Sequence, residues 1–294
     1  MLPSFVCYAD ILGYGQLSQE ALKKGEGELF LVKLRKALSY AYERVRTRSI
    51  GIEGEQRFSV KVFTDNIVVG YPIHMRNIDH GEPELGHILS IFSEFQAGLA
   101  MEGFFLRGGL SYGDHYMDED IAFGVALLKA VALDKTGGPP RLTLDSSAIE
   151  VVRKHLGFYS DVYTAPQYHD LLEDSDGSIF LNYLNEAFFD FPDGGILFDL
   201  ITAHKNSVVN GLEEYNGCPG VKAKYEWAAR YHNFVCRDFV ERYRYVERLD
   251  VSEEYGSIIE EAKKVLGYLI DIELFAAEPR RLTISPIKER QNGV

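Results

Sequence analysis

The chain has 294 residues, a formal net charge of −13 at pH 7, and 46% hydrophobic against 26% charged residues. That balance is one of a soluble globular protein, and its acidity argues against a duplex nucleic-acid binder, which needs a basic face to displace counterions. No run approaches the roughly 18–20 apolar residues of a membrane helix, and the N-terminus lacks the basic flank and apolar core of a signal peptide. Three scattered cysteines, Cys7, Cys218 and Cys236, show neither close pairing nor metal-ligand spacing. The expectation is a reduced, cytoplasmic protein with neither a membrane nor a nucleic acid among its partners.

The predicted elements alternate through the first half. Residues 5–11 form an apolar strand that runs out at Asp10 into "LGYG". Leu31, Leu34, Leu38, Ala41 and Val45 recur at spacings of three and four, which predicts a helix over 29–46. "RFSVKVF" at 57–63 and "NIVVGYP" at 66–72 read as two strands joined by a tight turn at Thr64-Asp65. A second amphipathic helix follows over 83–102, then the strand "FFLRGGLSYG". Gly124 opens the apolar segment "VALLKAVALD", "RLTLD" is a short strand, and Ser146 is a plausible N-cap for "SAIEVVRKHL".

This order, β-α-β-β-α-β, is that of a ferredoxin-like split arrangement, so the fold class is α+β, with one sheet face covered by two helices. After about residue 157 the composition turns to aromatics and acids, and from 220 onward the pattern is mostly helical. The expected division is a core at 1–157 and an α-rich C-terminal extension at 158–294, packed on the core.

Asp10 and Asp65 each follow a strand of the proposed sheet, and in this topology the two strands come close. Two like charges about 4 Å apart repel by about 4 kcal/mol at an effective dielectric near 20, so such a pair needs a shared proton or a cation between its members. Hard divalent ions with oxygen ligands meet that need and suit phosphoryl transfer. Both residues serve equally well as ordinary turn and cap residues. Gly13, Tyr14 and Gly15 form a glycine turn entering a helix, where backbone amides can cradle phosphate, although most such turns are only turns. His74, His80 and His87 have a loop-like spacing that shows no zinc pattern, and they are taken as surface histidines. The stripe in "YEWAARYHNFVCRDFVERY" is taken as packing.

Four blocks, "FVCYADILGYGQL", "VKVFTDNIVVGYP", "LRGGLSYGDHY" and "FGVALLKAVALDKTGGPPRLTLD", follow in the order and spacing of class III nucleotide cyclases. The resemblance covers roughly residues 4–157. It implies a homodimer with active sites at the interface, a nucleoside triphosphate substrate, and two Mg²⁺ or Mn²⁺ ions held by Asp10 and Asp65, with the Ile11 carbonyl as a further ligand. It implies that Arg107 helps neutralise the triphosphate and that Lys61 falls where the family reads the base; taken alone, the two are equally a surface cation and a solvated strand residue.

Two departures matter. The family's purine cyclases carry an Asn and an Arg where this chain has Leu128 and Ala132, and the base-contacting acid of adenylate cyclases falls at Ile121, beside Asp120. The "FTDN" form of the second aspartate motif and "AKYEWAARYHN" resemble instead the pyrimidine cyclases of bacterial Pycsar anti-phage defence. That branch has an aromatic and an Arg four residues apart near the end of the first helix. Tyr42 and Arg46 fit, with Tyr40 and Arg44 as the alternative pair. The resemblance thus implies a uridylate cyclase making 3′,5′-cyclic UMP and pyrophosphate, with cytidylate cyclase as the near alternative. Adenylate cyclase and a catalytically inactive nucleotide-binding dimer are the more distant ones.

Overall fold

The computed structural model describes residues 1–48, 59–63, 65–73, 80–118, 120–135, 137–188, 191, 193, 195–247, 253–272 and 277–287; within these, the side chains of 40–48, 59, 60, 62, 63, 244–247 and 253–255 lie outside the description. In chain order the elements begin with β1 (Leu2–Ile11), α1 (Tyr14–Lys23), α2 (Gly27–Arg48), β2 (Ser59–Phe63), β3 (Asn66–Pro72) and α3 (Glu82–Met101). Next come β4 (Leu106–Met117), β5 (Ala122–Gly124), α4 (Val125–Asp134), β6 (Leu142–Leu144) and α5 (Ser146–Leu156). The remainder is α6 (Pro166–Asp170), β7 (Leu171–Glu173), β8 (Ile179–Leu181), α7 (Phe198–Glu214), α8 (Pro219–Glu247), α9 (Glu253–Lys263) and β9 (Arg280–Arg281).

The fold is α+β, built on one mixed sheet of nine strands in the order β2-β3-β1-β4-β6-β8-β7-β9, with β5 paired to β4. The β4–β6 pair is parallel, while the pairs β1–β3, β1–β4 and β2–β3 are antiparallel. Side chains alternate across a strand, and β1 uses both faces. Phe5, Cys7, Ala9 and Ile11 point into a core shared with Leu34 and Ala37 of α2 and Leu85, Ile88, Phe92 and Phe95 of α3. Tyr8 and Asp10 point to the opposite face, where α4 lies against β1 and β4. Gly109 permits that close approach, because a Cβ there would sit 2.6 Å from the Ala130 carbonyl oxygen.

The region beyond residue 157 contributes β7, β8 and β9 to the same sheet and a helical layer of α7, α8 and α9 beside it. Its core is aromatic, with Phe180, Tyr183, Trp227, Tyr231 and Phe239 all buried. The aromatic stripe of α8 is thus packing. Buried Arg141, just before β6, is held by Asp174, which also accepts from Trp227 Nε1 at 2.6 Å, tying α8 to the sheet.

One local expectation needs correction. Asp145, not Ser146, caps α5: its Oδ1 accepts from the Ala148 backbone N–H at 2.9 Å. A carboxylate is as good a cap as a hydroxyl, and here it also accepts from the Ser147 hydroxyl at 2.6 Å. His87 is exposed on α3, as the helix expected over 83–102 places it; the helix starts at Glu82, straight after the left-handed residues His80 and Gly81. All three cysteines are free, Cys7 and Cys236 buried and Cys218 exposed. Among the described residues no helix is long and apolar enough to cross a membrane.

Candidate functional site

The site lies where β1 ends. Antiparallel register sets Asp10 opposite Asn66 on one side and opposite Arg107 on the other. Beyond it the Ile11 N–H donates to the Asp65 carbonyl at 3.2 Å, and the Leu12 N–H to the Phe105 carbonyl at 2.8 Å. Gly13 then takes φ 72°, ψ 14°, a left-handed turn that a side chain would strain, and α1 starts at Tyr14. The Gly13 carbonyl accepts the first helical hydrogen bond, from the Leu17 N–H at 2.9 Å.

Arg107 is the centre of the cluster. Its Nη2 donates to Asp10 Oδ2 at 3.1 Å and its Nε to Asp134 Oδ1 at 2.8 Å. All three side chains are mostly buried. Burial opposes the Arg107 charge, but the Asp134 hydrogen bond and the two carboxylates outweigh it and hold the guanidinium above its ordinary value. Asp134 was invisible in the sequence reading. It is the last residue of α4, and only the packing of α4 on Gly109 brings it against β4.

Asp10 keeps one oxygen unspent. Oδ1 is buried and has no hydrogen-bond partner among the described residues. Desolvation first, then repulsion from Asp134 and more weakly from Asp65, push its carboxyl up to about 6 against the opposing pull of Arg107. Asp65 Oδ1 accepts from Asn66 Nδ2 at 3.1 Å, and Asn66 Oδ1 accepts from the Tyr8 hydroxyl. Burial, followed by Asp134, Asp10 and Asp65, drives the Tyr8 phenol up to about 12, so it stays a donor.

The remaining predicted residues are placed as follows. Gly13 and Gly15 lie at the turn and in the first turn of α1, both exposed. Tyr14 turns away toward the core, its ring 6.2 Å from Phe30. Lys61 on β2 is opposite Val68, itself opposite Tyr8, so Lys61 shares the face of Tyr8 and Asp10 two strands away. Its charge acts on exposed Asp118, which is held below its ordinary value chiefly by the Ile121 N–H and the Tyr116 hydroxyl, with Lys61 a smaller contributor. Tyr42 and Arg46 fall within α2, as do Tyr40 and Arg44, but their side chains lie outside the described residues.

One unforeseen residue comes from the far end of the chain. Lys224 of α8 lines a cavity of about 90 Å³ with Leu12, Gly13 and Gln16. Burial and then Arg107 push its ammonium below the ordinary lysine value, with Asp10 opposing. Spacing could not have found it, because more than a hundred residues separate Lys224 from the nearest strand of the cluster.

Chemically, the cluster sets three carboxylates, Asp10, Asp65 and Asp134, against two cations, Arg107 and Lys224. Every donor atom offered to a metal is oxygen, the set that hard divalent ions take. Among the described residues no group of three or more His, Cys, Asp and Glu is gathered into a ready-made metal cage. The orphaned Oδ1 of Asp10 beside Asp65 fits a site of the open kind, in which one or two carboxylates share an ion with substrate phosphates.

Fold and site together define an α+β protein with an oxygen-rich, partly charge-compensated cluster at a strand end. No protein-family model matches the chain, and no curated protein matches it. Among solved structures, the chain is similar to that of the guanylyl cyclase Cya2, at 12% identity and a TM-score of 0.37, over 51% of this chain and 77% of that one.

Proposed function

We propose that the chain is a metal-dependent nucleotide cyclase of the class III type, converting UTP to 3′,5′-cyclic UMP and pyrophosphate. CTP is the near alternative substrate, and the product would serve as a second messenger in anti-phage defence. The observation that carries the reading is the Asp10 carboxylate: buried, pushed up to about 6, and left beside Asp65 with one oxygen unpartnered among the described residues. A buried polar atom without a partner costs about 1–3 kcal/mol, and a divalent cation removes that cost. Further support comes from the four sequence blocks and from the β2-β3-β1-β4 order, which is that of a split β-α-β-β-α-β unit.

In this reading Asp10, the Ile11 carbonyl and Asp65 hold two Mg²⁺ or Mn²⁺ ions. Bound there, the metals supply a lowered pKa for the ribose 3′-hydroxyl and neutralise the polyphosphate. The 3′-hydroxyl gives up its proton to solvent, its oxygen bonds to the α-phosphorus, and the bond from that phosphorus to the α,β-bridging oxygen breaks as pyrophosphate leaves. Arg107, anchored by its Nε on Asp134, would present Nη2 to the phosphates where Nη2 now donates to Asp10. The amides of Gly13 to Gly15 would face the same anion, Lys61 would read the base bound by the other copy of the dimer, and Tyr42 and Arg46 are its proposed helix-borne partners. Positioning and electrostatics supply most of the rate.

The active form is proposed to be a homodimer. Ile121, Phe123, Val125 and Leu128, on and beside β5 and α4, are 55–70% exposed, an apolar group that a second copy would cover. Leu128 also favours a second reading. It stands where purine cyclases place a polar side chain, with Ala132 one turn on, as in a nucleotide-binding dimer that has lost catalysis. Incubating the pure chain with Mn²⁺ and each of UTP, CTP, ATP and GTP, then weighing the products by mass spectrometry, separates the two. Cyclic UMP is the expected product. Nucleotide binding with no cyclic product from any of the four would establish the inactive dimer instead.

A further inference from the structure

The C-terminal helical region reaches the site through α8. Tyr225 anchors it: its ring lies 5.8 Å from that of Phe105 in an edge contact and stacks at 5.6 Å on Tyr215. It fits because residue 211 is a glycine, where a Cβ would meet the Tyr225 ring at 2.1 Å. Phe105 is the residue before β4, and its carbonyl takes the Leu12 N–H that shapes the glycine turn. The neighbour of Tyr225 in sequence, Lys224, is thereby set over Leu12 and Gly13, in the cavity they share with Gln16.

We propose that Lys224 is a positioning and phosphate-contacting residue, a cation that α8 supplies in cis to the polyphosphate end of the substrate at the Gly13 turn. This rests on the cyclase reading for its substrate class, a nucleoside triphosphate and its leaving group. The cavity of about 90 Å³ is several times what one water needs, room on the scale of one phosphoryl group. Partial burial suits the role, because a half-desolvated ammonium gains more from an anion than a hydrated one. Lys224 also senses both charged partners of the cluster, Arg107 and Asp10. Lys222, two residues nearer the helix start, faces elsewhere: its Nζ donates to Asn216 Oδ1 at 2.7 Å and lies 4.0 Å from Glu226.

The test is the affinity of the full chain for magnesium pyrophosphate, measured by calorimetry, with no turnover involved. Lys224→Ala is expected to weaken it about tenfold, the scale of one charge-assisted hydrogen bond, while Lys224→Arg recovers most of the loss. Lys222→Ala, which removes the same charge from the same helix, is expected to bind as the unaltered chain does. With UTP, Lys224→Ala is expected to raise KM more than it lowers kcat. Unchanged pyrophosphate affinity in Lys224→Ala would overturn the proposal, as would an equal loss in Lys222→Ala or no binding by the unaltered chain. Pyrophosphate binding that depends on Lys224, in a chain that cyclises nothing, would uphold the proposal and remove the cyclase reading.

Discussion

Two buried regions of this molecule handle polar groups in opposite ways. At the end of β1, Asp10 leaves an oxygen unpartnered, and its carboxyl is pushed up to about 6. Beneath α7 and α8, a chain of polar side chains closes completely. The Tyr183 hydroxyl pairs with His204 Nε2 at 2.7 Å, His204 Nδ1 with His232 Nδ1 at 3.1 Å, and His232 Nε2 with the Tyr268 carbonyl at 3.1 Å. One assignment of protons satisfies every member: Tyr183 donates to His204, His204 to His232, and His232 to the carbonyl. Both histidines are then neutral, as their burial demands. Nearby, Asn233 exchanges two hydrogen bonds with the Ile270 backbone, at 2.8 and 2.7 Å. The helical region uses polarity to fix one packing. The strand end keeps charge unresolved, which is where a cation and an anion can be bound.

Breaking the unresolved end gives the largest expected effect. Asp10→Asn should reduce cyclic nucleotide formation by at least about a thousandfold, because a primary cation ligand is gone. The same substitution should not destabilise the chain. With the carboxyl raised from 3.8 to about 6, its protonated form is the one the fold prefers. Ionisation therefore costs stability as pH rises through about 6, and the variant escapes that cost. Melting at pH 8 should match or exceed that of the unaltered chain, and the two curves should converge below about pH 4. A lower melting temperature for Asp10→Asn at pH 8 would mean that this carboxylate stabilises the fold.

The closed network should behave in reverse. His204→Ala strands the Tyr183 hydroxyl and a His232 nitrogen and opens a cavity, a cost of about 3 kcal/mol. Calorimetry should record a drop of roughly 5–10 °C, with pyrophosphate affinity unchanged at temperatures where the chain is folded. Acid should act on the same network. His232 is pushed down to about 4, and His204 is held well below its ordinary value, both chiefly by burial. Depressed histidines contribute stability that is complete above their unfolded value near 6.5 and is lost as pH falls toward 4. Urea midpoints should fall across that interval, and less steeply in His204→Ala.

The smallest expected effect sharpens the comparison within the site. Asp134→Asn keeps the shape of the anchor but weakens its 2.8 Å hydrogen bond to Arg107 Nε. KM for the triphosphate should rise about tenfold, the scale of one charge-assisted bond, with little change in melting temperature. An unchanged KM would show that Arg107 meets the phosphates without its Asp134 anchor.

How much could be read in advance differed by element. Strand alternation and helical spacing are local, so the hairpin at Asp65 and the helices at Gly27–Arg48 and Glu82–Met101 were legible to within a few residues. The proximity of Asp10 and Asp65 followed from strand pairing, because one register slip would have buried Asp10 among Cys7, Ala9 and Ile11. The cap of α5 was misread by one residue, since Asp145 and Ser146 are equally able to cap and only packing chooses between them.

By itself, then, the sequence determined the periodic elements, the apolar faces and the two carboxylates at strand ends, all set by neighbours within a few positions. Tertiary structure alone decided what surrounds Asp10. Asp134 arrives because Gly109 lets α4 lie close, and Lys224 because Gly211 and Phe105 seat Tyr225. The charge balance of a buried cluster is a sum over elements distant in the chain, and no local pattern carries it.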